Sequence, residues 1–484
     1  MARALMFQGT GSDVGKTVLV AGLCRLAHRN GIKVLPFKPQ NMSNNAAVAD
    51  DGGEIGRGQW LQAYASHAKS SVHMNPVLLK PQSNTGSQII VQGKLFGRAT
   101  GCDYQKMKSS LLDKVMESYQ ILAQKCDLIL IEGAGSAAEI NLRHGDIANM
   151  GFARRADIPV ILIGDIDRGG VIASLVGTST VLDPADRAHI CGYLINKFRG
   201  DVTLFKQGVD IIGRFTGWPC FGIIPWLEGA RLLPAEDSMA LEHIKQTKRN
   251  KIKIVVPLLP HIANFDDLDP LMHEKNVEIV FVKNGDAFPA GCKVVLLPGS
   301  KSTIADMAVL RERGFADKIK THAKNGGIVI GICGGFQMLG KNIYDPLAQE
   351  SANTAIEGLG LLDMTTEIGS QKITRNVVAR HVASGLPLEG YEIHMGSTKG
   401  ADCKRAPIRI NDCDEGAMSP TGRIWGTYLH GLFNADAFRR YFVKTLGAQP
   451  DEISYEDKID NALNKIADEL AAIVNIEALF QLAR

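Results

Sequence analysis

The sequence predicts an α/β protein of two domains, each a mostly parallel sheet flanked by helices. Three observations lead there. Apolar runs of strand length alternate with amphipathic stretches of helix length, the pattern of buried strands covered on both faces. The alternation pauses once, near 236–253, where the basic second half of EDSMALEHIKQTKRNKIK reads as an exposed linker. Finally, 484 residues exceed one ordinary core; a prior of ~150 residues per domain gives two or three domains. The expected division is a first domain over 1–240, a linker over 241–251, a second domain over 252–445 and a C-terminal helical segment over 446–484 packed on it.

The first series of strands is ALMFQG (4–9), KVLPF (33–37), LILIEG (128–133), PVILIGD (159–165) and GYLINK (192–197). ALMFQG runs into Gly9-Thr10-Gly11-Ser12-Asp13-Val14-Gly15-Lys16-Thr17 and then a helix-like stretch. Such a loop turns backbone N–H groups toward phosphate and lets Lys16 and Thr17 reach phosphate and Mg²⁺. It predicts an ATP site built on Gly9, Gly11, Gly15, Lys16 and Thr17. The first glycine stands one place earlier than in G-x-x-x-x-G-K-[ST], so the loop is a lengthened variant. Glu132, ending a buried strand, is a candidate Mg²⁺ ligand with Thr17, a helix N-cap being the competing role. Glu54 is a candidate second ligand, with Asp50 and Asp51 as competitors. In IGDIDRGG, Asp165 and Asp167 lie at a strand end, and Arg168 is equally suited to a phosphate, a substrate carboxylate or a surface salt bridge. Asn196 suits base recognition or a turn cap.

The second series is KIVVPLL (253–259), VEIVFV (277–282), KVVLLPG (293–299), GIVIGIC (327–333) and RIWGTYLH (423–430). Residues 463–482, apolar at helical spacing, predict a helix on the second domain. Cys333 follows a buried strand and precedes a helix-like stretch, within G-x-C-x-G. That arrangement presents a nucleophile on a sharp bend, with the Gly334 N–H aimed at an oxyanion and a helix start favouring the thiolate. The competing role is a buried structural cysteine. His430, ending a strand of the same domain, is the candidate base. The Gly299 turn is a candidate second oxyanion donor.

Composition limits the partners. Lys+Arg of 54 against Asp+Glu of 51 leaves a net charge of +3, too little to draw nucleic acid or an anionic membrane. Nine scattered cysteines without zinc spacing suit a reducing cytoplasm. No signal-like apolar region opens the sequence, and no apolar run reaches the ~20 residues of a membrane span. The expected partner is a small molecule; the oligomeric state is not legible.

GICGGFQMLG and YLHGLF resemble a type 1 glutamine amidotransferase domain, and GTGSDVGKT with IEGAG resembles the P-loop domain of dethiobiotin synthetase. The set FKPQNMSNN, GGEIGRGQ, MNPVLLKP, GDIDRGG, LPGSKST and GYEIHMG is similar to the cobyric acid synthase family over about residues 1–440. The resemblance implies ATP-dependent amidation of the b, d, e and g carboxylates of adenosylcobyrinic acid a,c-diamide, a corrinoid, in cobalamin biosynthesis. Glutamine would be the nitrogen donor and an acyl phosphate the intermediate. In the wider amidotransferase pattern a glutamate stands two residues after the histidine; here that place is Leu432, which implies a Cys333–His430 dyad, a less firmly oriented base and a modest glutaminase. Glu392 and His394 would lie near the glutamine site. Charge alone suggests Lys80, Arg57 and Arg168 for corrin carboxylates. The rivals are cobyrinic acid a,c-diamide synthase, disfavoured by QNMSNN and DIDRGG, an amidase of cell-wall precursors, and a P-loop ATPase with a non-catalytic amidotransferase-like module, disfavoured by intact Cys333 and His430.

Overall fold

The structure is a computed structural model that describes residues 2–82, 86–236, 251–283, 286–350 and 353–484. The linker expected at 241–251 lies, apart from Lys251, outside the described residues.

In the first domain the described residues form a six-stranded parallel sheet in the order Cys220–Pro225, Ile190–Phe198, Val160–Asp165, Arg3–Gly9, Leu128–Ser136, Val34–Phe37. Its central strand is buried on both faces, which is why ALMFQG reads as a continuous apolar run. Register decides the site. Phe7 pairs with Glu132, Gly9 with Ile163, and Phe37 with Ile131, so the glycine loop, Glu132 and the residue after Phe37 emerge at one sheet edge.

The second domain repeats the design with the order Val277–Val282, Ile252–Pro257, Cys292–Leu297, Ile328–Ile332, Ile424–Thr427, parallel throughout, plus an antiparallel edge at Ala417–Met418. Ile332 pairs with Thr427, which brings the residues after both strands, Cys333 and His430 among them, to one edge. A long hairpin, Met364–His381 with Pro387–Gly400, overhangs that edge. On it rests the first domain's short hairpin Ala46–Val48 and Glu54–Gly56, through an apolar cluster of Ala46, Val48, Leu78, Ile90, Tyr391 and Ile393.

The C-terminal helix corrects an expectation. Tyr455–Ile473, capped by Ser454 accepting from the Asp457 N–H at 2.9 Å, lays its apolar stripe on the first domain and meets the second only at its start, where Lys458 donates to the His273 carbonyl at 2.9 Å. Its Leu463, Ile466 and Leu470 join the core that holds Leu19 and Leu23 of the helix Lys16–Arg29. A Cβ at Gly22 would stand 2.6 Å from Ile466, so the glycine lets the two helices approach. Buried Arg25 adds an ion pair to Asp460 at 2.6 Å. An apolar stripe states that a helix is covered, not by which domain.

Candidate functional site

The nucleotide site starts from the loop after Gly9. A Cβ there would lie 2.6 Å from the Gly11 carbonyl and 2.8 Å from Lys16 Nζ, so only glycine allows the tight return. Gly15 takes φ 93° and ends against Asn196, whose Nδ2 donates to the Val14 carbonyl at 2.8 Å. Asn196, read for base recognition or a turn cap, thereby stands at the glycine loop. Lys16 Nζ donates to the carbonyls of Gly11 at 3.1 Å and Gly135 at 2.9 Å, and burial pulls its amine below the ordinary value.

Thr17 Oγ1 donates to Glu132 Oε1 at 2.9 Å. Lys38, directly after the strand Val34–Phe37, donates to the same oxygen at 2.9 Å and to Glu236 at 2.8 Å. Burial opposes the charge on Lys38, but the two carboxylates hold its amine above the ordinary lysine range. Glu236 also accepts from Thr17 at 2.5 Å and Asn41 at 2.8 Å, while Gln62 donates to the second oxygen of Glu132 at 2.6 Å. The two carboxylates meet at the Lys38 ammonium and at the Thr17 hydroxyl, and these hard oxygens fit Mg²⁺. No group of three or more His, Cys, Asp or Glu suited to a metal occurs among the described residues.

Glu54 does not belong to this set. Its two oxygens are taken by Lys80 and by Lys372 of the second domain, all three buried, so it has none to offer beside Thr17. Asp50 and Asp51 are engaged by Ser70 and Ser71. Arg57 is likewise buried, paired with Asp266 of the second domain at 3.0 Å, and neither it nor Lys80 is free for a substrate carboxylate. Asp165 receives Lys197 at 2.8 Å and Asp167 receives Arg199 at 2.5 Å; exposed Arg168 pairs with Asp13 at 3.2 Å.

At the second site Cys333 adopts φ 51° and ψ −109°, a conformation an L-residue rarely takes, between Ile328–Ile332 and the short helix Gly334–Leu339. Its N–H donates to Thr427 O at 2.8 Å. A Cβ at Gly335 would lie 2.0 Å from the Leu297 carbonyl, so the flanking glycines fit the elbow against the next strand. The thiol is 8% exposed and donates to Ile393 O at 3.5 Å, a carbonyl flanked by Glu392 and His394. Glu392 binds Arg375 at 2.5 Å, and His394 stacks on Tyr428 with centroids 3.8 Å apart.

His430 is buried, close enough to Cys333 for the sulfur to raise its pKa, and through Nδ1 meets Asp267 Oδ2 at 2.7 Å. The other Asp267 oxygen accepts the Gly431 N–H at 2.6 Å. Burial opposes the imidazolium, but the Asp267 charge and Cys333 raise its pKa to about 10. The expected dyad is therefore incomplete as a description. Leu432 is buried core, and the carboxylate that orients the base comes from Asn264-Phe265-Asp266-Asp267, 163 residues earlier. The signal available in the sequence was an acidic run, DDLD, immediately after an apolar stretch.

Gly334 stands against Ser300, whose backbone nitrogen would be 2.7 Å from a Cβ at Gly334. The antiparallel ladder pairs Ala263 with Gly299 and Ile262 with Ser300, and the next pair is bonded from Lys301 N–H to His261 O. Bonded and unbonded pairs alternate, so the ladder occupies the Gly299 N–H and leaves that of Ser300 facing Gly334. The N–H of this turn left open beside Gly334 is thus that of Ser300 and not of Gly299. Lys38, Gln62, Glu236 and Asp267 all escaped the sequence reading, since each acts through a partner distant in the chain.

Fold and side chains together define a class: a nucleotide-binding domain and an amidotransferase domain in one chain. Residues 5–240 match the family of the CobQ/CobB/MinD/ParA nucleotide binding domain, and residues 253–438 that of the CobB/CobQ-like glutamine amidotransferase domain. The cobyric acid synthase of Rhizobium johnstonii is 60% identical over 97% of this chain and 96% of its own. That of Brucella suis biovar 1 is 58% identical over 100% of both chains, and that of Rhizobium leguminosarum bv. trifolii 59% identical over 97% of both. The chain belongs to the cobyric acid synthase family.

Proposed function

We propose that the chain amidates the b, d, e and g carboxylates of adenosylcobyrinic acid a,c-diamide, drawing ammonia from glutamine at Cys333 and activating each carboxylate with ATP at the glycine loop. The observation that carries the reading is the Cys333–His430–Asp267 array in the same chain as Lys16, Thr17, Lys38 and Glu132. Likeness to the cobyric acid synthases over the whole chain supports the substrate.

At the elbow the Cys333 thiol passes its proton to His430 and the sulfur attacks the glutamine amide carbon, while the N–H groups of Gly334 and Ser300 receive the developing oxyanion. His430 gives its proton to the departing ammonia, and Asp267 holds the ring in place for that transfer. A thioester remains, and water whose proton passes to His430 releases glutamate.

In the first domain the acceptor carboxylate takes the γ-phosphoryl group, ADP leaves, and the acyl phosphate loses phosphate to ammonia. Lys16 and Lys38 offset charge during the transfer. Thr17 and Glu132 would hold Mg²⁺, which would supply positive charge against that developing on the transferred phosphoryl group. The corner of Lys38, Asn41 and Thr17, filled here by the Glu236 carboxylate, has the charge and donors an acceptor carboxylate needs. The test is incubation with glutamine, ATP, Mg²⁺ and the a,c-diamide. Stepwise conversion of four carboxylates to amides by mass is expected, and ADP release without amidation contradicts the reading.

A further inference from the structure

We infer that Arg57 is a positioning residue that couples the nucleotide site to the thiol site, passing shifts of its helix to Asp266 and so to the aspartate that aims His430. The inference rests on the reading of Cys333 as a glutaminase nucleophile.

The helix Arg57–Ala65 touches both sites. Near its start, Gly58 lies against the nucleotide site: a Cβ there would be 2.9 Å from Thr17 Cγ2 and 3.2 Å from the Glu236 carboxyl. One turn on, Gln62 donates to Glu132 at 2.6 Å and to the Thr17 carbonyl at 3.3 Å, and Gln59 reaches Glu132 at 3.5 Å. Residues that would hold metal and phosphate therefore also hold this helix. At its N-terminus, Arg57 is 4% exposed, leans over the Trp60 ring at 4.3 Å and forms an ion pair with Asp266 Oδ2 at 3.0 Å across the domain boundary. The next residue, Asp267, carries both bonds to His430 and Gly431.

The ion pair is half made. Arg57 Nε and Asp266 Oδ1 are both buried and have no hydrogen-bond partner. A guanidinium and a carboxylate prefer two parallel bonds, and each orphan atom is the complement of the other. A small displacement of the helix that sets Nε opposite Oδ1 would complete the fork, which gives the pair two discrete arrangements. Phosphate and metal at Thr17 and Glu132 compete for the oxygens that now hold Gln59 and Gln62. They therefore act differently on the two arrangements, as any ligand that shifts a population must. Around the pair stand Asp267, Asp269, Tyr391 and Tyr455, so the guanidinium, with the His430 ring beyond it, balances this acidic pocket. Chemically, such a link restricts ammonia release to times when a carboxylate is ready to receive it.

The experiment measures glutamate released from glutamine by the full chain, with and without Mg-ATP and the a,c-diamide together. In the unsubstituted protein the acceptor side is expected to stimulate release by about tenfold, within the usual range of coupling between sites. Arg57→Lys keeps the charge and loses the fork. Its stimulation should fall to about twofold or less, with unstimulated release and ammonium-supported amidation kept within about twofold. Asp266→Asn should do the same, and the double variant should lose no more than either single one, as members of one pathway do. Full stimulation surviving in Arg57→Lys, or release indifferent to Mg-ATP and acceptor in the unsubstituted protein, overturns this inference alone. No release above that of Cys333→Ala overturns the glutaminase reading and this inference with it.

Discussion

His430 lies between a thiol and a carboxylate, and its protonation follows from which of them dominates. Burial opposes the charged ring, but Asp267 and Cys333 together hold the imidazolium up to about 10, Asp267 contributing the larger share. Replacing it with a neutral amide removes the largest stabiliser of the charged ring, so the proton leaves at lower pH. For Asp267→Asn the alkaline limb of the glutamine kcat/KM profile should move acidward by on the order of a unit or more, with a large fall in rate. An unmoved limb would deny Asp267 its role. In the first domain Lys38 is the test. Lys38→Met should lower amidation by about a hundredfold with glutamine or ammonium alike, as expected for a lost charge clamp, while unstimulated glutamine hydrolysis persists. The sequence displayed Cys333, Lys16 and Thr17 plainly because their neighbours in the chain create their settings. It hid Asp267 and Lys38, whose partners His430 and Glu132 stand 163 and 94 residues away.

Strands and helices were legible from periodicity, and both alternating series appear as parallel sheets. Docking was not. The helix Tyr455–Ile473 has one apolar stripe, and nothing local distinguishes the core under Leu19 and Leu23 from that of the neighbouring domain. Leu463 is fully buried there, and Leu463→Ala should cost about 3 kcal/mol by transfer and cavity terms. Because that core carries the glycine loop on the helix Lys16–Arg29, the loss should appear in the unfolding of the first domain and be offset by Mg-ATP through mass action. Thermal unfolding followed with and without Mg-ATP reads this directly. Equal loss in the second domain's transition would contradict the packing.

Across the whole molecule the two domains meet through polar pairs as well as the apolar cluster around Tyr391. Glu54 links Lys80, 26 residues on, to Lys372, 318 residues on, and beside a glycine turn it resembled a metal ligand for want of that distant partner. Burial opposes its charge, but Lys372 and Lys80 hold its carboxyl well below the ordinary range. A depressed acid stabilises the fold above its unfolded pKa, about 4.3 for glutamate, and that contribution is lost as pH falls below it. Acid should therefore loosen the domain boundary. Glu54→Gln, leaving two buried ammonium groups without their anion, should destabilise the chain by about 3 kcal/mol at neutral pH and flatten its acid dependence, read by denaturant unfolding.

Such a boundary joins two chemistries, glutamine hydrolysis on one side and carboxylate activation on the other. Amidation of the a,c-diamide by Cys333→Ala, supplied with ATP and Mg²⁺ and either glutamine or an ammonium salt, measures that division. Glutamine-supported amidation should fall by about a thousandfold or more, as for loss of a nucleophile, while ammonium-supported amidation stays within about twofold of the unsubstituted protein. Loss of both activities, or survival of the glutamine-supported one, would contradict it.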